Sequence, residues 1–171
     1  YLIQDHTSKV TIEAESNLIP YIETDISGGI LILETRNNRN LKNHYPIKIY
    51  VHSLGFDDLS ISGSGFIQGN NVSGPFVRMD VSGSGYIETG VYADYLETNI
   101  SGSGELYLWG SVIESDLRIS GSGNINAYDL YQKICFSTIS GSGNMFLFVD
   151  DLLDVLISGS GNVFYKGNPD L

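Results

Sequence analysis

The chain has 171 residues, enough for one domain with a substantial core, and at 42% hydrophobic it is not a disordered tail. A net charge of −11 excludes nucleic acid as a partner, because phosphates would be repelled, and disfavours acidic polysaccharides unless a cation intervenes. The single Cys135 excludes an internal disulfide, and no apolar run approaches the length of a membrane-spanning helix, so a soluble chain is expected.

No signal peptide stands at Tyr1; the chain opens inside a strand-like run, as it would if an export segment had been removed. Further strand-like runs occupy residues 10–15, 21–25, 30–34 and 46–52. Between the last two lies a polar stretch, residues 36–45, with Arg36, Arg39, Lys42 and His44, which reads as a projecting loop and the only basic patch. Ile26-Ser27-Gly28-Gly29 looks like a worn copy of a motif that dominates the rest of the chain.

That motif is ISGSG. It starts at Ile61, Ile100, Ile119, Ile139 and Ile157, and as VSGSG at Val81, with intervals of 20, 19, 19, 20 and 18 residues. A fixed period of this size signals stacked structural units. With the first motif residue as zero, position +6 holds Ile67, Ile87, Leu106, Ile125, Met145 and Val163. Position −4 holds Val77, Leu96, Ser115, Cys135 and Leu153, and position −2 holds Met79, Thr98, Leu117, Ser137 and Val155. These mostly apolar columns alternate with Arg78/Asp80, Glu97/Asn99 and Asp116/Arg118, which is the period of a strand with one face in and one face out.

A helix fails, because Gly-Ser-Gly would break it once per repeat. Identical motifs recurring once per unit are best satisfied by parallel stacking, like residue over like residue, at about 4.8 Å. The sequence therefore predicts an all-β, single-domain, right-handed parallel β-helix with coils of about 19 residues. Residues 1–60 form irregular N-terminal coils and a loop, and residues 61–171 the regular coils. Glycine reaches the backbone angles a corner demands, and serine hydroxyls could tie one coil to the next. Asn124, Asn144 and Asn162 should form a similar ladder. The irregular N-terminal part could protect one open end against edge pairing, and Gly167-Asn168-Pro169 could stop the other.

Continuing the alternation past each motif puts Tyr107, Trp109, Tyr128, Phe146, Phe148 and Phe164 outward, in two adjacent columns near the C-terminal end. So many exposed rings mark an interaction surface, as a platform for sugar rings or an interface with protein.

Other chemistry finds less support. The Gly-x-Gly pairs have no following helix to hold a phosphate. Calcium-binding β-rolls repeat every nine residues and place an Asp where this chain has Ile67, Ile87 or Ile125. His6, His44 and His52 share no metal spacing, and Cys135 falls in an inward column. Asp57-Asp58, and Asp150-Asp151 with Asp154, could supply paired acids or cation ligands. Coils of this length, however, leave no room for the long loops that build a polysaccharide-cleaving site.

The laddered pattern Ile119-Ser-Gly-Ser-Gly-Asn-Ile125, its copies, and the ending Val163-Phe-Tyr-Lys-Gly-Asn-Pro169 resemble the putative auto-transporter adhesin, head GIN domain family. The resemblance implies a parallel β-helix that is exported, periplasmic, outer-membrane-attached or extracellular, from Bacteroidetes. It carries over no catalytic or binding residues. The combined reading is a non-enzymatic cell-surface adhesin or binding module that acts through the aromatic face, with a protein partner, self-association or a glycan as ligand. No metal and no cofactor is expected. The rival readings are a small polysaccharide-active enzyme and a purely structural spacer.

Overall fold

The computed structural model describes residues 1–38 and 40–171, so Arg39 of the predicted loop lies outside the described residues. The strands are β1 (Leu2–Gln4), β2 (Lys9–Glu13), β3 (Ile22–Ser27), β4 (Ile30–Thr35), β5 (Lys48–Ser53) and β6 (Asp58–Gly63). Then come β7 (Phe66–Gly83), β8 (Tyr86–Gly102), β9 (Glu105–Gly121), β10 (Asn124–Gly141), β11 (Asn144–Gly159) and β12 (Asn162–Lys166). From β7 to β12 the strands pair in sequence order and in parallel. The architecture is a β-solenoid of about six turns.

Each of β7 to β11 runs for 16 to 18 residues, so one strand wraps nearly a whole coil. The register is the one the sequence columns require: Ile100 lies opposite Val81 and Ile119, and Ile139 opposite Ile119 and Ile157. Ile100, Ile119, Ile139, Leu106, Ile125 and Cys135 are buried in one core that runs along the solenoid axis. Burial pushes the Cys135 thiol up to about 12, which keeps it protonated and unreactive.

The corners are set by two glycines. Gly63, Gly83, Gly102, Gly121, Gly141 and Gly159 have φ between +104° and +134°, a region that disfavours any residue with a Cβ. Both glycines also give space: a Cβ at Gly121 would collide with the Gly102 carbonyl oxygen, and a Cβ at Gly123 would lie 2.5 Å from the Gly104 carbonyl oxygen and 2.6 Å from Ile100 Cγ2. This close approach lets the backbone join coil to coil. Ser103 N donates to Gly83 O at 2.8 Å, and Ser122, Ser142 and Ser160 repeat the bond onto Gly102, Gly121 and Gly141 at the same length.

The serines thus act through their main chain. Their side chains at the corners are exposed, and among the described residues their hydroxyls make no hydrogen bond within the protein. The asparagine ladder does form, with Asn144 Nδ2 donating to Asn124 Oδ1 at 3.1 Å and Asn162 Nδ2 to Asn144 Oδ1 at 3.0 Å.

The N-terminal part departs from simple coils. β1 slots in parallel between β5 and β7, meeting β7 at Leu2 and Gly69, and β2 lies antiparallel on the far side of β5. Asp5, just past β1, takes the Thr7 hydroxyl at 2.6 Å and His52 Nδ1 of β5 at 2.8 Å. The Thr7 hydroxyl first, and then His52, hold its carboxyl at about 2. Ile26-Ser27-Gly28-Gly29 is no solenoid corner: Gly28 and Gly29, at φ +58° and +84°, turn the antiparallel β3–β4 hairpin. Past β4 the polar segment is largely exposed, and Glu15 Oε1 accepts from His44 N at 2.6 Å and Tyr45 N at 3.0 Å.

Three substitutions test this account by denaturant unfolding. Ile119→Ala is expected to cost about 2–5 kcal/mol, the usual range for a buried large-to-small change. Gly121→Val should be at least as damaging, because its Cβ would collide with the Gly102 carbonyl oxygen at a positive φ. Ser122→Ala should cost about 1 kcal/mol or less. A Ser122→Ala loss as large as that of Ile119→Ala would show that the hydroxyl, and not the backbone, ties the coils.

Candidate functional site

The outward face gathers its rings where β10, β11 and β12 stack. Phe146 and Phe164 are direct register partners, and their rings stack at 5.1 Å with 12° between planes. Tyr128 meets Phe146 edge-on at 5.6 Å. Phe148 meets Tyr131 edge-on at 5.4 Å, with 90° between planes. The Lys166 ammonium lies 4.9 Å from the Phe148 ring centre and 5.6 Å from that of Tyr128, inside the range of a cation–π contact. Four of the six predicted rings therefore form one cluster around Lys166.

The other two stand elsewhere. Tyr107, 46% exposed, joins Tyr86 at 5.9 Å, and Tyr86 in turn meets Phe66 at 5.1 Å, so it ends a second ladder nearer the N-terminal coils. Asn126 separates it from Phe146 in the register. Trp109 is half-buried opposite Gly90, and a Cβ at Gly90 would lie 2.7 Å from its indole Nε1. The indole thus lies over a bare backbone and not on a continuous ring column.

A bulge explains the difference from two straight columns. Between Asn126 and Asp129 the register of β10 against β9 shifts, and against β11 it shifts between Ala127 and Tyr131. Tyr128 and Asp129 are consecutively exposed, and Phe148 acquires Tyr131 as its register partner. Tyr131 was hidden from the simple alternation for that reason. Phe66 and Tyr86 were within reach of it, since position +5 is also an outward position.

Two of the acids at this end are engaged. Asp150 Oδ2 accepts the Tyr131 hydroxyl at 2.9 Å, and that bond first, then burial, pushes the Tyr131 phenol up from its ordinary value. Asp151 faces Lys133 Nζ at 3.5 Å. Asp58 stands five coil steps from Asp154 in the same column, roughly 24 Å at the usual strand spacing, so the two acidic groups do not share a site. Among the described residues no three His, Cys, Asp or Glu side chains are grouped to hold a metal ion.

The family model of the putative auto-transporter adhesin, head GIN domain, matches residues 1–169. The chain belongs to this family. A putative adhesin from Bacteroides fragilis has the same fold, with a TM-score of 0.89 at 22% identity over 98% of this chain and 78% of that one. A putative adhesin from Parabacteroides merdae gives a TM-score of 0.75 at 22% identity over 99% and 80% of the two chains. A putative lipid binding protein from Parabacteroides distasonis gives 0.73 at 25% identity over 99% and 81%. No curated protein matches the sequence. Among the described residues of this head GIN domain no helix is long and apolar enough to cross a membrane.

Trp109 is the only tryptophan, so its fluorescence reports on its place over Gly90 alone. Gly90→Ala is expected to displace the indole and shift its emission to the red. An unchanged maximum in a folded Gly90→Ala protein would contradict the placement of the ring over Gly90.

Proposed function

We propose that this head GIN domain is an exported, non-enzymatic binding module that acts at the cell surface through the ring cluster of Tyr128, Phe146, Phe148 and Phe164. The observation that carries the reading is the stacked outward pair Phe146–Phe164, extended by Tyr128 and bordered by Lys166. A contiguous aromatic patch on an otherwise acidic surface is a place where burial gains much and charge repulsion costs little. Phenylalanine supplies three of the four rings, which favours contact with another protein over sugar stacking, where tyrosine and tryptophan predominate. Catalysis by the acids is not favoured, because Asp150 and Asp151 have partners and the Asp57-Asp58 pair lies at the other end of the solenoid. The family's description as an adhesin and the Bacteroidetes origin of its structural relatives fit export.

A second reading has its own observation. The β3–β4 hairpin carries Ile26 and Ile30 at 73% and 65% exposure beside its Gly-Gly tip, with Ile32 and Leu33 exposed further back. A two-stranded hairpin with uncovered apolar residues is a feature that could enter a lipid surface, and one structural relative carries the name putative lipid binding protein.

Arrays of immobilised glycans and extracellular proteins, run beside neutral phosphatidylcholine vesicles, separate these readings. Any array ligand should be lost by the triple variant Tyr128→Ser, Phe146→Ser, Phe164→Ser with its melting curve retained, and vesicles should not bind. Array binding that survives the triple variant would overturn the aromatic-face reading. Vesicle binding abolished by Ile26→Ser with Ile30→Ser would put the hairpin in its place.

A further inference from the structure

The layer that covers β11 is incomplete, and the side left open is one strand wide. β12 covers the start of β11, and Asp170 continues the cover: its N–H donates to Asp151 O at 2.8 Å and its carbonyl accepts Leu153 N at 2.9 Å. Beyond Leu153, among the described residues, no strand lies on the outer side of β11. Val155 and Ile157, whose counterparts Leu117 and Ile119 are buried, are 39% and 40% exposed there, and Leu156 is 63% exposed. With Leu153, Val163, Tyr165 and Leu171, Val155 and Ile157 line an apolar groove at the end of the core.

The backbone of this segment is ready to pair. In a parallel ladder successive residues address opposite neighbours. Leu153 N bonds outward to Asp170, so the main-chain groups of Val155, Ile157 and Gly159 point into the opening. At the earlier corners the carbonyls of Gly63, Gly83, Gly102, Gly121 and Gly141 each accept a serine N–H from the next coil, and among the described residues Gly159 O has no such donor. Another solenoid end cannot lie flush here, because β12 and Asp170 already fill the rest of the layer. The opening fits a single extended segment.

We propose that an extended, basic-apolar segment of a partner protein adds to residues 154–159 of β11 as one parallel strand, the way peptides join an open sheet edge. The columns define its side chains. Val155 shares a column with Met79 and Leu117, and Ile157 one with Val81 and Ile119, so apolar residues of the segment cover both and close the groove. A glycine lies over Gly159, and the serine after it donates its N–H to Gly159 O as Ser160 N does to Gly141 O. An antiparallel strand would lose that corner bond.

Charge selects the residue over Asp154. That carboxylate is exposed and, among the described residues, has no ion-pair partner, and Asp170 borders the same opening on a protein of net charge −11. Opposite charges facing each other across a ladder stabilise it and like charges destabilise it. Inside the molecule the same column sets Arg78 over Asp58. The segment therefore carries arginine or lysine at this position, and salt weakens the contact.

Fluorescence anisotropy with the full chain tests this, using the peptide Arg-Met-Thr-Val-Ser-Gly-Ser-Gly labelled with fluorescein at its C-terminal end. The peptide follows residues 78–85, with threonine, as Thr138 stands in that column, in place of Asp80. The expected result is saturable binding that weakens with salt and is lost in Val155→Lys with the melting curve retained. Asp154→Arg should weaken binding about tenfold, and should bind the same peptide with glutamate in place of its arginine better than the wild type does. Absence of saturable binding to the wild type would overturn the proposal, and so would an Asp154→Arg protein that still prefers the arginine peptide. Sedimentation of the protein alone supplies a further contrary outcome: wild-type oligomers that Val155→Lys turns into monomers would put a second copy in the opening instead.

Discussion

The whole molecule depends on how closely two backbones approach at the Ser-Gly-Ser-Gly corner. A carbonyl of one coil accepts an N–H from the next at 2.8 to 3.2 Å, and no side chain fits between them. Register is fixed there, once per coil. Because side chains alternate with period two, a slip of one residue would turn every core position to solvent. The glycines set the register, and the buried isoleucine, leucine and valine columns supply the driving force that makes holding it worthwhile.

The same constraint shapes the outer surface. Parallel in-register stacking puts residues of one column about 4.8 Å apart, the distance at which planar side chains stack. Asn124, Asn144 and Asn162 use it for an amide ladder, and Phe146 and Phe164 for ring contact. A surface property thus follows from a core rule.

The regular coils were legible in the sequence because each column repeats the same demand: Ile or Val at the motif start, an apolar residue six further on, glycine twice between. The family resemblance rested on those residues as well. The bulge around Tyr128 was not legible, since inserting an outward residue leaves local composition unchanged and shows only in pairing with β9 and β11. It moved Trp109 away from the ring cluster and brought Tyr131 in. The N-terminal cap was hidden for a related reason: β1 lies between β5 and β7, partners about fifty and seventy residues away, and no local pattern records such a pairing. Ile26-Ser27-Gly28-Gly29 shares the letters of a corner. Its adjacent glycines both take positive φ, however, the geometry that closes a tight hairpin.

Disulfide trapping across neighbouring coils tests the in-register parallel stack most directly. Cysteines replacing Asn124 and Asn144, which face each other on the outer surface, should form a disulfide on mild oxidation, while buried Cys135 stays reduced. Cysteines replacing Asn124 and Met145 should not, because Met145 points into the core. Efficient bridging of the second pair, or none of the first in a folded protein, would contradict the register on which both the core and the aromatic face rest.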